Sequence, residues 1–252
     1  MYTIDLNSDL GEGFGAYTIG SDGDILKHVT SANIACGFHA GDPVVMNKTV
    51  ALAAGNGVAM GAHPGLPDLV GFGRRTMAVT PEEAYAMVVY QVGALAAFAK
   101  TQGRSLQHVK PHGALYNMAV KDAALAAAVA RAVHDIDSNL ILFGLAGSQL
   151  IVQGEKMGLQ TASEVFADRT YQPDGSLTPR SRADAMVTDE NIAISRVLRM
   201  ITEGVVRAQN GEDIPVRADT VCVHGDGAKA LAFACKIHSV LSEQGVTVTS
   251  FR

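Results

Sequence analysis

The segment TIDLNSDLGEGFG, Thr3–Gly15, decides the fold. Its polar residues Asp5, Asn7 and Asp9 alternate with a mostly apolar set: Ile4, Leu6, Ser8 and Leu10. Because successive side chains of a strand point to opposite faces, one face of this strand is polar and the other apolar. We interpret the polar face as the lumen of a barrel and the apolar face as the contact with surrounding helices. Polar lumen residues near the end of a strand are typical of barrel enzymes.

Similar short runs recur along the chain, separated by alanine-rich helical stretches. Strands are predicted at Thr3–Ser8, Ser31–Ala35, Val58–Ala62, His108–Lys110, Leu140–Phe143, Leu159–Ser163, Thr220–Val223 and Val246–Thr249. Helices are predicted at Pro43–Ala54, Thr80–Lys100, Asp122–His134, Ser148–Lys156, Asp189–Gln209 and Gly227–Glu243. Alternation of strand and helix indicates parallel pairing. We predict an α/β fold, a β/α barrel of seven or eight parallel strands forming a single domain over residues 1–252. An open doubly wound sheet is the alternative.

Composition restricts the function classes. The chain has 252 residues, 48% of them hydrophobic, and a net charge of −5, so we expect neither a nucleic-acid nor an anionic-membrane partner. Three cysteines without paired spacing favour reduced thiols. The first residues lack the pattern of a signal peptide, and the most apolar stretch, Ala84–Ala99, is shorter than the ~20 residues that span a bilayer. We therefore expect a cytoplasmic protein.

Ionisable residues close several of the predicted strands. Because the carboxyl ends of parallel strands share one face, these side chains are expected to meet there. Solvated strand ends without function are the alternative interpretation. The candidate catalytic residues are Asp9, Glu12, His39, His63, Lys110, His112, Glu164 and His224.

Two long connections, Pro64–Val79 and Val165–Val187, contain several arginines and directly follow strands that end in candidate residues. Loops longer than ~12–15 residues in a compact domain are usually functional lids or disordered. We interpret them as lids that bind anions, with mobile surface loops as the alternative. The candidate substrate- or anion-binding residues are Asn7, Asn33, Arg74, Arg75, Asp168, Arg169, Gly225 and Asp226.

Lys110 is the most informative single position. A lysine at a buried strand end is costly unless it pairs with a carboxylate or a substrate anion. A purely structural ion pair is the alternative to an anchoring role. If Lys110 anchors an anion at a wet mouth, Lys110→Met should stay folded and lose ~10²-fold or more of the activity.

Common catalytic signatures are absent from the sequence. It contains no G-x-x-x-x-G-K-[ST], no G-x-G-x-x-G after a strand, no H-E-x-x-H and no G-x-S-x-G. A metal site formed by Asp9, His39 and His63 stays open as an alternative, because an Asp-His-His set suits Zn²⁺.

Six segments taken together resemble the LamB/YcsF family, whose members include the A subunit of 5-oxoprolinase. They are DLNSDLGEGFG, SANIACGFHAGDP, GAHPGLPDLVGFGRR, VKPHGALYN, EVFADRTYQPDGSLTPRS and VCVHGDG, in this order and over nearly the whole chain. The resemblance implies a barrel similar to those of glycoside hydrolases and deacetylases. It also implies a hydrolase that works with 5-oxoprolinase subunits B and C and uses ATP, with Mg²⁺ expected, to convert 5-oxo-L-proline into L-glutamate.

Two other functions stay open beside this one. The first is a metal-dependent hydrolase of amides or acetylated carbohydrates, which the metal set above would serve. The second is a non-catalytic subunit that only binds the substrate. Metal analysis separates the first from the family function, and assays of the subunits singly and together test the second.

Overall fold

The computed structural model describes residues 2–223 and 230–252. The strands are β1 (Tyr2–Leu10), β2 (Ser31–Ala35), β3 (Ala59–His63), β4 (His108–Val109), β5 (Ile141–Leu145), β6 (Thr161–Phe166), β7 (Val205–Arg207), β8 (Asp213–Pro215), β9 (Thr220–Cys222) and β10 (Val246–Val248). The helices are α1 (Asp22–Ile25), α2 (Pro43–Asn56), α3 (Pro81–Thr101), α4 (Gly113–Lys121), α5 (Ala123–Ile136), α6 (Gln149–Lys156), α7 (Glu190–Thr202) and α8 (Ala230–Glu243).

Seven parallel strands close into a barrel within the described ranges. Strands β1 to β6 pair in sequence order, β6 pairs with β9, and β9 pairs back with β1 through Asp5 opposite Thr220. The eighth predicted strand, β10, pairs with the start of β1 and lies outside this closed ring. The barrel prediction is therefore confirmed with seven strands, and closure excludes the open doubly wound sheet.

Local sequence signals explain where two of the helices begin. Thr80 caps α3 by accepting a hydrogen bond from the backbone N–H of Glu83, whose side chain accepts in return from the Thr80 N–H. Asp42 caps α2 by accepting from backbone N–H groups of its first turn, with Pro43 at the first helical position. No helix among the described residues is both long and apolar enough to cross a membrane.

The structure corrects the prediction at several elements. The helix predicted to reach Gln209 ends at Thr202, because Gly204 takes a left-handed φ of 67° and the chain turns into the β7–β8 hairpin. Helices α1 and α4 were not predicted. The helix predicted from Gly227 is described only from Ala230 onward.

The lumen of the barrel is apolar at its amino-terminal end. Ile141, Phe143 and Ala162 form a small buried cluster there, and Phe251 packs against it. The backbone carbonyl of Phe251 accepts a hydrogen bond of 2.9 Å from the Gln107 side chain. This end of the barrel is thus filled by side chains, as expected for a packed barrel core.

A polar layer lies above this apolar plug. Asp5 accepts hydrogen bonds from the hydroxyls of Thr30, Ser31 and Thr220, and burial nevertheless raises the pKa of its carboxyl group. The predicted parity of strand β1 is confirmed, because Asp5 and Asn7 contact lumen residues while Ile4 and Leu6 belong to the apolar core.

Gly61 leaves room for the His108 ring in this layer. The ring stacks on Phe143 at 4.2 Å between centroids, and a Cβ atom at position 61 would overlap it. Its Nε2 also contacts the Asn33 side chain at 2.8 Å. The His108 ring is therefore held from two sides, by Phe143 and by Asn33.

We predict that Gly61→Ala lowers the free energy of unfolding by about 1–3 kcal/mol, the usual cost of overpacking a core. Gly93→Ala is the matched control, because Gly93 lies on the exposed side of α3 with nothing near the added methyl group. The control should be neutral or stabilising by up to about 1 kcal/mol, since alanine favours a helix. Chemical denaturation of both variants measures this, and equal stabilities would contradict the packing argument.

Candidate active site

Three side chains from three strands meet at the carboxyl-terminal mouth of the barrel. Lys110 Nζ lies 2.8 Å from Asp9 Oδ1 and 2.9 Å from Glu164 Oε1. Lys110 and Glu164 are buried, whereas Asp9 keeps about 11% of its side chain exposed. The lysine thus joins β1 and β6 from its position directly after β4.

The protonation state of Lys110 follows from this geometry. Burial alone favours the neutral amine, but the carboxylates of Asp9 and Glu164 outweigh it, and the pKa of Lys110 lies well above its usual value. The Sγ atom of Cys222 lies 3.2 Å from Nζ. Burial raises the pKa of the Cys222 thiol, with Lys110 opposing the change. The site therefore holds one ammonium ion among two carboxylates and a thiol.

Two asparagines lie beneath the mouth and support it. Asn7 Oδ1 accepts hydrogen bonds from Lys110 and from Asn33, and Asn7 Nδ2 donates to the Thr220 hydroxyl. Asn33 Nδ2 also donates to Asp9 Oδ1 at 2.9 Å. Asn7 and Asn33 were predicted to bind substrate, but their amide groups are engaged with protein partners inside the lumen. They instead hold Asp9 and Lys110 in register.

Tyr116 on α4 was missed by the sequence prediction. Its hydroxyl donates a hydrogen bond of 2.7 Å to Glu164 Oε2, so Glu164 is held between a phenol and an ammonium ion. Burial and then the Glu164 charge raise the pKa of Tyr116 well above its usual value. The only sequence signal was the aromatic residue in VKPHGALYN, which a helix starting at Gly113 turns toward the lumen.

A second group of side chains lies beside the lysine. His63 Nδ1 lies 2.7 Å from the Lys110 carbonyl oxygen, and His63 Nε2 lies 2.9 Å from His112 Nδ1. His112 Nε2 in turn lies 2.9 Å from the carbonyl oxygen of Phe72, a residue with a left-handed φ of 55°. His63 Nε2 also lies 3.3 Å from Asp9 Oδ2, so Asp9 joins the two groups.

His39 completes this histidine group. Its ring stacks on that of His112 with centroids 3.6 Å apart, and its Nε2 lies 3.6 Å from Glu12 Oε1. Gly65 and Gly73 lie close to this side chain: an added Cβ atom would come within 2.6 Å of the His39 ring at Gly65 and within 2.6 Å of the His39 Cβ atom at Gly73. Burial, with help from the neighbouring histidines, lowers the pKa of His39 well below its usual value, and burial does the same to the pKa of His112.

The donor atoms of Glu12, His39, His63 and His112 lie within 4.8 Å of one another. This set differs from the predicted metal ligands Asp9, His39 and His63. One oxygen of Asp9 already accepts from Lys110 and Asn33, whereas Glu12 and His112 stand among the histidine nitrogens. Three imidazoles and a carboxylate are a donor set that suits zinc-like ions.

The mouth opens into a cavity of about 660 Å³. Asp9, Glu12, His63, Lys110 and His112 line its floor. Four arginines from the two long connections line its walls: Arg74, Arg169, Arg180 and Arg182. Burial and then Arg180 lower the pKa of Arg169 to about 10, and its guanidinium donates to the carbonyl oxygens of Thr178 and Ala185. Both predicted loops therefore contribute cationic side chains to the cavity.

Several predicted residues do not join this cluster. Arg75 binds Asp68 on the other side of its loop and is largely exposed, so it does not face the cavity with Arg74. Among the described residues, Asp168 is not part of the cavity lining. Arg75 is therefore turned away from the cavity by its loop, whereas the anion-binding role of Asp168 stays a prediction. His224, Gly225 and Asp226 lie outside the described residues.

A closed parallel barrel with a buried ammonium ion, two carboxylates and three histidines at its carboxyl-terminal mouth belongs to the class of β/α-barrel enzymes. Residues 4–252 match the model of the LamB/YcsF family, and the chain belongs to that family.

Named relatives and a solved structure cover the whole chain. The chain is 64% identical over 250 residues to the A subunit of 5-oxoprolinase from Bacillus subtilis (strain 168), covering 99% of this chain and 97% of the relative. It is 62% identical to the protein of the same name from Tolumonas auensis, covering 98% and 99% of the two chains. The crystal structure of the lactam utilization protein from Thermus thermophilus superposes with a TM-score of 0.93 at 48% identity, covering 99% and 100%.

We predict that Lys110→Met destabilises the protein by about 3–5 kcal/mol, because it leaves the fully buried Glu164 without its cation. The sequence led us to expect that this variant stays folded because any unpaired carboxylate would be solvated. That condition holds for Asp9, which is partly exposed, but not for Glu164, which is buried. The double variant Lys110→Met/Glu164→Gln should recover part of the loss. Lys27→Met is the control, since this exposed lysine should change stability by less than about 0.5 kcal/mol. Equal stability of Lys110→Met and wild type in urea unfolding would refute the role of the ion pair.

Proposed function

We propose that this protein acts as one component of an ATP-dependent 5-oxoprolinase that hydrolyses the lactam of 5-oxo-L-proline to L-glutamate. The main support is the Lys110 site opening into an arginine-lined cavity, in a chain 64% identical to the A subunit of a 5-oxoprolinase over nearly its full length. The lactam hydrolysis and the accompanying conversion of ATP to ADP and phosphate each consume one water molecule.

The chemistry of the lactam sets what the site must provide. A five-membered lactam resists hydrolysis because amide resonance stabilises it and the ring re-closes readily. Phosphorylation of the lactam oxygen by ATP would release ADP and make the ring carbon open to attack by water. The ring C–N bond of the adduct would then break to give an amine and an acyl phosphate, and a second water would release phosphate and leave the side-chain carboxylate of L-glutamate. Such a reaction needs cationic groups for the substrate carboxylate and the phosphoryl group, and a base for the water.

The cavity offers side chains for each of these tasks. Arg74, Arg180 and Arg182 are suited to the substrate carboxylate and the phosphoryl oxygens. Asp9 lies at the cavity floor, partly exposed and 3.3 Å from His63, and is suited to accept a proton from the attacking water. In this proposal Lys110 stabilises negative charge that develops on the reacting oxygen, and Glu164 and Tyr116 hold the lysine in place.

The proposal includes partners and a cofactor. The relatives are named as subunits, which supports an assembly, and we assign subunits B and C as the partners. ATP with Mg²⁺ serves as co-substrate; because the sequence lacks a P-loop, its site is shared with a partner or formed by an unfamiliar cradle. In this assembly residues 1–252 act as one domain in the cytoplasm.

We predict that the purified chain alone produces little glutamate from 5-oxo-L-proline and ATP, and that activity appears with subunits B and C. Omitting each subunit in turn, with glutamate and ADP both measured, tests this. Turnover by the single chain at the rate of the full mixture would contradict the shared assembly. Absence of turnover from the full mixture would contradict the proposed reaction.

We predict that Asp9→Asn lowers the kcat of the reconstituted enzyme by ~10²-fold or more, in the range expected for loss of a general base. The variant should remain folded, because Lys110 keeps its contact with Glu164. Asp24→Asn provides the control: Asp24 also pairs with a lysine, but on the surface at α1. A thermal melt checks the fold, and near-normal kcat in Asp9→Asn would remove Asp9 from the mechanism.

A further inference from the structure

We propose that Glu12, His39, His63 and His112 bind a divalent transition-metal ion of the zinc class. His63 Nε2, His112 Nδ1 and the Glu12 carboxylate are its first three ligands. This inference does not rest on the lactam reaction, since it concerns ion binding by the chain itself. The site adjoins the Lys110 contacts, because His63 lies 2.7 Å from the Lys110 carbonyl oxygen and 3.3 Å from Asp9.

Backbone carbonyls determine which histidine nitrogens face each other. A carbonyl oxygen only accepts hydrogen bonds, so His63 Nδ1 must donate to Lys110 O, and His112 Nε2 must donate to Phe72 O. When each ring carries only that proton, the lone pairs of His63 Nε2 and His112 Nδ1 face each other across 2.9 Å. Facing lone pairs repel, so this arrangement requires a cation between or beside them.

The outer hydrogen bonds match those of metal-binding histidines. A histidine ligand usually donates its other ring N–H to a backbone carbonyl or a carboxylate, which fixes the tautomer and orients the ring. His63 and His112 both have such a carbonyl partner. The left-handed φ of Phe72 is unusual for a non-glycine residue, and it belongs to the residue whose carbonyl receives the His112 proton.

A proton would satisfy two nitrogens, but four donors converge here. Ligands about 2.1 Å from a tetrahedral ion lie about 3.4 Å apart. The His63–His112 nitrogens are 2.9 Å apart, and Glu12 Oε1 lies 3.6 Å from His39 Nε2 and 3.8 Å from His112 Nδ1. These separations lie on both sides of the tetrahedral value, so the donors already lie near the spacing that a tetrahedral ion requires.

The unpaired ring nitrogens of His39 are an independent observation that supports metal binding. Neither of its ring nitrogens makes a hydrogen bond among the residues that the structure describes, although the residue is about 99% buried. A buried polar atom without a partner is costly.

Metal binding requires one local change. The rings of His39 and His112 are parallel and 3.6 Å apart, and imidazole lone pairs lie in the ring plane. Both rings therefore cannot aim at one point between them until the His39 ring turns out of the stack. His63, His112 and Glu12 thus form the initial shell, and His39 joins as the fourth ligand.

The test uses the full chain after removal of bound metal with a chelator. Calorimetric titration with Zn²⁺ should show one site, and Co²⁺ should give the intense visible bands of four-coordinate geometry. His63→Ala and His112→Ala should each weaken Zn²⁺ binding by more than the ~10–100-fold that loss of an outer hydrogen-bond partner costs. Glu12→Gln removes a ligand charge at almost constant volume and serves if an alanine variant fails to fold. His134→Ala, at an exposed histidine on α5, should leave binding unchanged.

Nitrogen-15 NMR of the histidine rings adds a readout that is independent of affinity. With Zn²⁺ bound, His63 should carry its proton on Nδ1 and His112 on Nε2. One Zn²⁺ site lost in His63→Ala and kept in His134→Ala supports the proposal. No Zn²⁺ or Co²⁺ binding by the stripped protein, a proton shared by the His63–His112 pair in the presence of Zn²⁺, or unchanged binding in His63→Ala and His112→Ala would overturn it.

Discussion

The ammonium group of Lys110 is the charge on which the mouth of the barrel depends. It lies among Asp9, Glu164, Asn7 and Cys222, which come from β1, β6 and β9. Without it, the carboxylates of Asp9 and Glu164 would both lie at the mouth with no ammonium group between them. Closure of the barrel and neutralisation of the Lys110 charge are therefore linked, because the strands that pair to close the barrel also carry the carboxylates that contact the lysine.

Asp9 connects two sites of different character. One of its oxygens accepts from Lys110 and Asn33, and the other lies 3.3 Å from His63. A change of charge in the histidine group would alter the field at Asp9 and, through it, at the lysine. The segment from Tyr2 to Gly15 thus contributes a carboxylate to each site, since Glu12 follows Asp9 by three residues.

Strand periodicity explains how much of the site was visible in the sequence. The alternation in Thr3–Ser8 and the polar end of β4 correctly predicted that Asp9 and Lys110 share the lumen, because the period of two is a property of the strand itself. The same reasoning led to His63, and Glu164 was predicted because it closes a strand. Arg75 was predicted from its place in a long loop, and its direction depends on that irregular loop and on its ion pair with Asp68.

Helical residues and apolar types were harder to predict. Tyr116 reaches Glu164 only because α4 begins at Gly113, and Cys222 reads as a core residue until the lysine is placed beside it. Asn7 and Asn33 were predicted to bind substrate and lie beneath the mouth, where their amide groups contact protein partners that no single-sequence pattern specifies. Tertiary hydrogen bonding separates a ligand-binding amide from a supporting one.

Closure of the amino-terminal end of the lumen by Phe251 has a consequence for how substrate enters and product leaves. Because Phe251, Ile141 and Phe143 fill the amino-terminal end, the lumen formed by the described residues is closed at that end and opens at the carboxyl-terminal mouth. A substrate that enters and a product that leaves therefore use the same opening. A partner protein bound over this mouth would therefore control both substrate entry and product release. It could also receive a short-lived intermediate directly from the cavity, without release of that intermediate into water.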